Sequence, residues 1–153
     1  MEVETAAATS RARSQQRCPS HRARRGSPFT AGASIGPDFI SLQARDLDKS
    51  QAFYEQYLGL VRSQTGPPHA VVFETKPIAF ALRDIVPGTD LASVAQPGIG
   101  AAIWFHATDV QAIHDALVAD GHTIVSAPID GPFGRTFTFA DPDGYHGTLH
   151  DRA

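Results

Sequence analysis

Three histidines and a tryptophan in the second half of the chain are the side chains best suited to chemistry. His146 and His150 lie in YHGTLH, which follows the turn Asp141-Pro142-Asp143-Gly144, and Trp104 and His106 lie in GAAIWFHA. Side chains alternate across a strand, so His146, Thr148 and His150 share one face, as do Ala102, Trp104 and His106. Such a face can hold a metal, hold an organic ligand, or simply be solvated. A metal shared by His146 and His150 is disfavoured, because four residues of strand separate their Cα atoms by roughly 13 Å. His106 and His150 can converge if their strands are neighbours, yet two imidazoles are too few for a divalent ion. His114 and His122, on and just after a helix, read as hydrogen-bonded or solvated side chains. Ser41 and Ser50 lack the G-x-S-x-G context of a nucleophile, and Gly98 and Gly100 have no phosphate-loop pattern around them.

The elements that must position these groups follow from periodicity and turn chemistry. DFISLQAR (38–45) alternates as a strand, with Phe39, Ser41 and Gln43 on one face and Ile40 and Leu42 on the other. DLDKSQAFYEQYLGL (46–60) reads as a helix that Asp46 or Asp48 can cap, with Phe53, Tyr54, Tyr57 and Leu58 as its apolar stripe and Gly59 at its end. AVVFE and IAFALR read as strands joined at Thr75-Lys76-Pro77. The second half repeats the plan. GAAIWFHA (100–107) is a strand, TDVQAIHDALVADG (108–121) a helix, and HTIVSA, RTFTFA and YHGTLH further strands, with SAPIDGPFG (126–134) a Gly/Pro-rich loop. That loop reads as a lid over a pocket, with Arg135 reaching either ligand or a surface partner. Asp46 overlays Asp109, and Arg83-Asp84 overlays His150-Asp151. The fold class is therefore α+β, built from two tandem βαβββ modules, 37–84 and 99–152. Such units pack with pseudo-twofold symmetry and leave a cleft where they meet.

Charge and composition limit the partners. Residues 1–36 hold six arginines against two glutamates (+4), and residues 37–153 hold seven Lys/Arg against fourteen Asp/Glu (−7). An acidic domain without clustered cations is a poor nucleic-acid binder. No apolar run approaches the roughly 18–20 residues of a membrane helix. The single cysteine, Cys18, excludes an intramolecular disulfide and suits a reducing, cytoplasmic setting. Residues 1–36 lack any sustained period and are rich in Ser, Arg, Ala, Gly and Pro, so they read as a disordered basic extension.

FISLQARDLDKSQAFYEQYLGL resembles the opening, and GRTFTFADPDGYHGTLHD the ending, of the vicinal oxygen chelate superfamily. That superfamily includes glyoxalase I, bleomycin-resistance proteins, fosfomycin-resistance enzymes and extradiol dioxygenases. The likeness spans about residues 37–152 and rests on the FY-x(3)-LG helix, the DPDG turn and the duplication. It implies a cup-shaped mixed sheet with helices outside. In metal-dependent members it also implies four ligands, two on the first strand of each module and two on the last. Here those positions are Phe39, Ala102, Ala81 and Thr148. Three have no lone pair to offer, and a neutral threonine is a poor ligand for a divalent ion.

The expectation is accordingly an organic-ligand pocket with no cofactor and no metal. Its residues are Phe39, Ser41, Gln43, Arg83, Trp104, His106, His146, Thr148 and His150. Trp104 offers a stacking face, Arg83 can meet a carboxylate or phosphate, and the imidazoles can hydrogen-bond or move a proton. The resemblance points to a bleomycin-resistance-type homodimer that sequesters a drug or metabolite, and an acidic domain suits a cationic one. The alternative is a glyoxalase-like lyase or isomerase, or a dioxygenase-related enzyme, with an atypical metal site or with acid–base chemistry by His106 or His150. A third reading is a decayed site with an oligomeric or regulatory role.

Overall fold

The computed structural model describes Ser34 and residues 36–152. The reading of residues 1–36 as a disordered extension lies almost wholly outside them. The elements are β1 (Phe39–Ala44), α1 (Leu47–Leu58), β2 (Ala70–Phe73), β3 (Ala79–Asp84), β4 (Ile103–His106), α2 (Val110–Ala119), β5 (Ile124–Gly131), β6 (Gly134–Ala140) and β7 (His146–His150). A single 3-10 turn, Leu91–Ser93, interrupts the link between the modules. The fold is α+β with two βαβββ-like modules, each contributing a mixed sheet. Strand order is β1-β3-β2 in the first sheet and β4-β7-β6-β5 in the second. In both, the first and last strands of the module run parallel, so β1 pairs with β3 and β4 with β7.

The helices begin and end where local chemistry dictates. Asp46 caps α1 by accepting from the Lys49 amide at 3.0 Å, and Asp109 caps α2 by accepting from Ala112 at 3.0 Å. The two aspartates thus do the same work in the two copies. Gly59 ends α1 in the left-handed region at φ 66°, where a Cβ would be strained, and its amide returns to the Tyr54 carbonyl.

The two copies are unequal. The second strand of the first module shrinks to one bridge, Arg62 to Phe73, held by Ser63 N–H on Val72 O and Glu74 N–H on Val61 O, both 2.8 Å. Gly66-Pro67-Pro68 follows at once, and two prolines without N–H groups cannot continue a ladder.

The predicted loop 126–134 is instead mostly strand. β5 runs through it to Gly131, and β6 starts at Gly134, leaving Pro132-Phe133 as the hairpin tip. The Gly/Pro signal misleads because β5 is an edge strand. Pro128 falls at the register shift between Ser126 and Ile129, where no outer neighbour needs its missing N–H. The segment is therefore a strand hairpin and not an irregular loop. Arg135 lies toward α2, its Nε donating to Gln111 Oε1 at 2.6 Å and its Nη1 to Asp130 at 3.1 Å.

The core lies between the modules. Phe53 and Tyr54 of α1 meet Phe73 and Phe80 from the first sheet and Phe105 and Phe139 from the second, with ring centroids 5.1–6.2 Å apart. Burying each such ring contributes about 1.5–3 kcal/mol. Helix α1 thus packs its Phe53–Tyr54 face against rings of both modules. His122 joins this packing edge-on to Phe53 and Tyr57, so it is a structural residue.

A polar clamp fastens the same junction. Asp141 accepts from Tyr54 Oη and from the amides of Asp143 and Tyr145, each at 2.9 Å. Asp143 accepts from Ser50 Oγ at 2.6 Å and from Arg45, by its amide at 2.8 Å and its Nε at 3.1 Å. Burial pushes the Asp141 carboxyl above its ordinary range. Burial first, and then the nearby Asp141 carboxylate, hold the Tyr54 phenol well above its own. Ser50 is thus a buried clamp residue, consistent with the absence of a nucleophile motif.

Candidate functional site

The residues singled out for their chemistry gather on the open faces of the two sheets. In the second sheet two rungs cross the strands. Trp104 pairs with Thr148 and Thr148 with Thr138, while His106 pairs with His150 and His150 with Thr136. Alternation sends Phe105, Leu149, Phe137 and Phe139 to the core and leaves this face to rings and hydroxyls. Gly147 makes the close packing beneath possible, since a Cβ there would stand 2.6 Å from Phe139 Cζ and 3.1 Å from Phe105 Cε2.

The face carries a continuous aromatic ribbon. Phe133 meets Trp104 edge-on at 5.3 Å, Trp104 meets His150 at 5.7 Å, and His150 meets His106 at 5.4 Å. His106 and His150 therefore do converge, as neighbouring first and last strands allow. His150 Nδ1 donates to the Arg152 carbonyl at 2.9 Å, which leaves Nε2 as the acceptor of that ring. Thr148 and Thr138 share a hydrogen bond of 2.9 Å between their hydroxyls. His146 stands apart, its Nδ1 accepting from the Gln96 side-chain amide at 3.0 Å.

The first sheet forms a second, plainer face. Phe39 lies beside Ala79, Ser41 beside Ala81 and Gln43 beside Arg83. Gln43 is already engaged, its Oε1 accepting from the Val86 amide at 2.7 Å. Arg83 is exposed, and no ion pair holds it among the described residues.

Neither of two cavities among the described residues joins the two faces. A cavity of about 480 Å³ opens beside β4, and of the nine expected ligand-binding residues it takes in only Trp104 and His106. A second hollow, of about 250 Å³, lies over the clamp at Arg45, Lys49 and Asp143. Neither is lined by Phe39, Ala81, Ala102 or Thr148. Those four positions do not fit a divalent ion. Among the described residues, no group of three or more His, Cys, Asp or Glu side chains could hold one. His114 is taken up by Asp115 at 2.9 Å and by the Phe137 ring at 5.2 Å.

Two features escape a reading of the sequence. Phe133 joins the ribbon because the hairpin turns tightly between Gly131 and Gly134, which treating the segment as a loop conceals. Lys76 and Ile78 line the cavity because the β2–β3 hairpin projects over it, a tertiary fact with no local signal.

Comparison with known proteins fits this geometry. The family model described as "Glyoxalase/Bleomycin resistance protein/Dioxygenase superfamily" matches residues 36–146. No curated protein matches the chain. Among solved structures it is similar to TnmS3, an antibiotic binding protein from Streptomyces sp. CB03234, at 23% identity and a TM-score of 0.59, over 80% of this chain and 100% of that one. It is similar to a glyoxalase-related enzyme from Fulvimarina pelagi at 22% identity and a TM-score of 0.62, over 78% and 89% of the two chains. A glyoxalase/dioxygenase from Nostoc punctiforme shares 17% identity with a TM-score of 0.62, over 83% and 99%. At these identities the likeness carries the fold.

Proposed function

The chain belongs to the glyoxalase/bleomycin resistance protein/dioxygenase superfamily, and we propose that it binds and sequesters a small organic molecule without using a metal. The aromatic ribbon Phe133–Trp104–His150–His106 carries this reading, because it presents stacking faces and hydrogen-bonding nitrogens on one open sheet face. Phe39, Ala81, Ala102 and Thr148 in the ligand positions support it. So does the presence of an antibiotic binding protein among chains of the same fold.

The ligand site is proposed to be completed by a second copy of the chain. Phe39, Trp104 and Phe133 are 52%, 48% and 55% exposed, which is unusual for large rings that share no cavity with the opposite face. A homodimer that sets the first sheet of one copy against the second sheet of the other would cover them. It would also bring Phe39, Ser41, Gln43 and Arg83 to the ribbon, Thr148 and His146. The acidic charge of the domain favours a cationic aromatic ligand for this site.

Titration with cationic glycopeptides and planar aromatics tests the proposal through Trp104, the one tryptophan of the chain. Saturable quenching that weakens in His150→Ala and Phe133→Ala is expected; no response across the panel would overturn it. One observation favours a second reading. The His106–His150 pair at 5.4 Å places two imidazoles where a metal-free proton transfer could occur. Turnover of a bound ligand, lost in His106→Ala, would establish that enzyme instead.

A further inference from the structure

The cavity of about 480 Å³ beside β4 is lined by residues of both modules and by side chains from both faces of that strand, Ile103 and Phe105 as well as Trp104 and His106. Phe80 and Leu149, both buried, are on its lining, with Phe80 edge-on to Phe105 at 5.4 Å. Ile40, Leu58, Ile103 and Ile113 add aliphatic walls from four different elements or their ends. Its volume falls within the roughly 300–1,000 Å³ of small-molecule sites. At about 30 Å³ per water-sized group it has room for an apolar body of about a dozen heavy atoms.

The charge of this cavity is opposite to that of the domain. Among the described residues, Lys76, in the β2–β3 hairpin, is the one charged residue lining it, and no aspartate or glutamate does so. No ion pair or hydrogen bond engages the Lys76 ammonium among the described residues. His106, also on the lining, has a ring contact with His150, and its ring makes no hydrogen bond among the described residues. The N-terminus of α2 is nearby through Thr108, but Asp109 already caps it, so the helix end adds little attraction. The donors on offer are thus Lys76 and His106, above an apolar interior.

We propose that this cavity is a second ligand site, which meets the sheet-face ribbon at Trp104 and His106, and that it takes an amphipathic organic anion. The ligand is a monocarboxylate with an apolar body of about eight to ten carbons. Its carboxylate meets Lys76 and His106, and its body lies over Phe80 and between the aliphatic walls. Removing apolar surface from water supplies most of the affinity, and the ammonium selects the sign of the head group.

The test uses the full chain with hexanoate, octanoate and decanoate below their micellar concentrations, alongside 1-octanol and octyltrimethylammonium. Binding is followed by Trp104 emission and by calorimetry. Carboxylate affinity is expected to rise about fourfold per added methylene, and octanoate to exceed octanol by about tenfold. Lys76→Met, a change at an exposed position, should erase that margin while leaving octanol binding and the thermal midpoint unchanged. Octanol matching octanoate, octyltrimethylammonium binding as tightly, or an unaltered margin in Lys76→Met would each overturn the proposal. So would an absence of saturable binding, including the case where a second copy of the chain fills the cavity. Carboxylates that fail while the aromatic panel still binds in a His150-dependent way would remove this site and leave the sheet-face site intact.

Discussion

Ser50, in the first module, donates its hydroxyl to Asp143 at 2.6 Å across 93 positions of sequence. Both are buried, and the bond ties α1 to the turn that launches β7. The strand bearing Thr148 and His150 is thereby positioned by a residue of the other module.

Removing that donor leaves a buried carboxylate oxygen unsatisfied. Ser50→Ala should cost about 1–3 kcal/mol, read as a lower denaturation midpoint with an unchanged slope. Asp143→Ala removes the acceptor shared by Ser50 and Arg45 and should cost more. Arg45 is 47% exposed, so its share is the smaller one. Equal stability of wild type and Ser50→Ala would show that the clamp is incidental.

Asp141 makes stability depend on pH in a definite direction. Burial raises its carboxyl above 3.8, so the folded chain holds that proton more tightly than the unfolded chain. The resulting stabilisation is present below the unfolded value and is lost as pH rises through the elevated folded one. Asp141→Asn keeps an acceptor for the Asp143 and Tyr145 amides and has no proton to lose. Its stability relative to wild type should therefore climb across that window, as urea unfolding from pH 3.5 to 7 would register. A difference independent of pH would contradict the assignment.

Gly147 is needed for space beneath the ribbon. Gly147→Ala places a methyl group against Phe139 and Phe105 and should cost about 1–3 kcal/mol through overpacking. The displaced rings lie under Trp104 and His150, so ligand affinity should fall with stability. A thermal midpoint equal to that of wild type would show that the rings can yield.

Much of the fold was legible because its signals are local. Asp46, Asp109 and Gly59 announce helix ends, and alternation assigns Phe105 and Leu149 to one face and Trp104 and Thr148 to the other. The hidden parts are those that distant chain segments decide. DPDG reads correctly as a turn, but nothing local says that its two carboxylates reach Tyr54 and Ser50 in the other module. Pro128 reads as a loop residue until its strand proves to be an edge. The cavity under Lys76 arises where a hairpin, two helices and three strands meet, and no periodicity describes such a place.

Native mass spectrometry of chain purified without chelator, then mixed with the aromatic panel, separates a metal-free binding protein from a metalloenzyme. Metal-free protein carrying a ligand of unchanged mass is expected, with a shift from monomer to dimer that accompanies binding. One divalent ion retained per chain, or a bound species with the mass of a reaction product, would contradict metal-free sequestration.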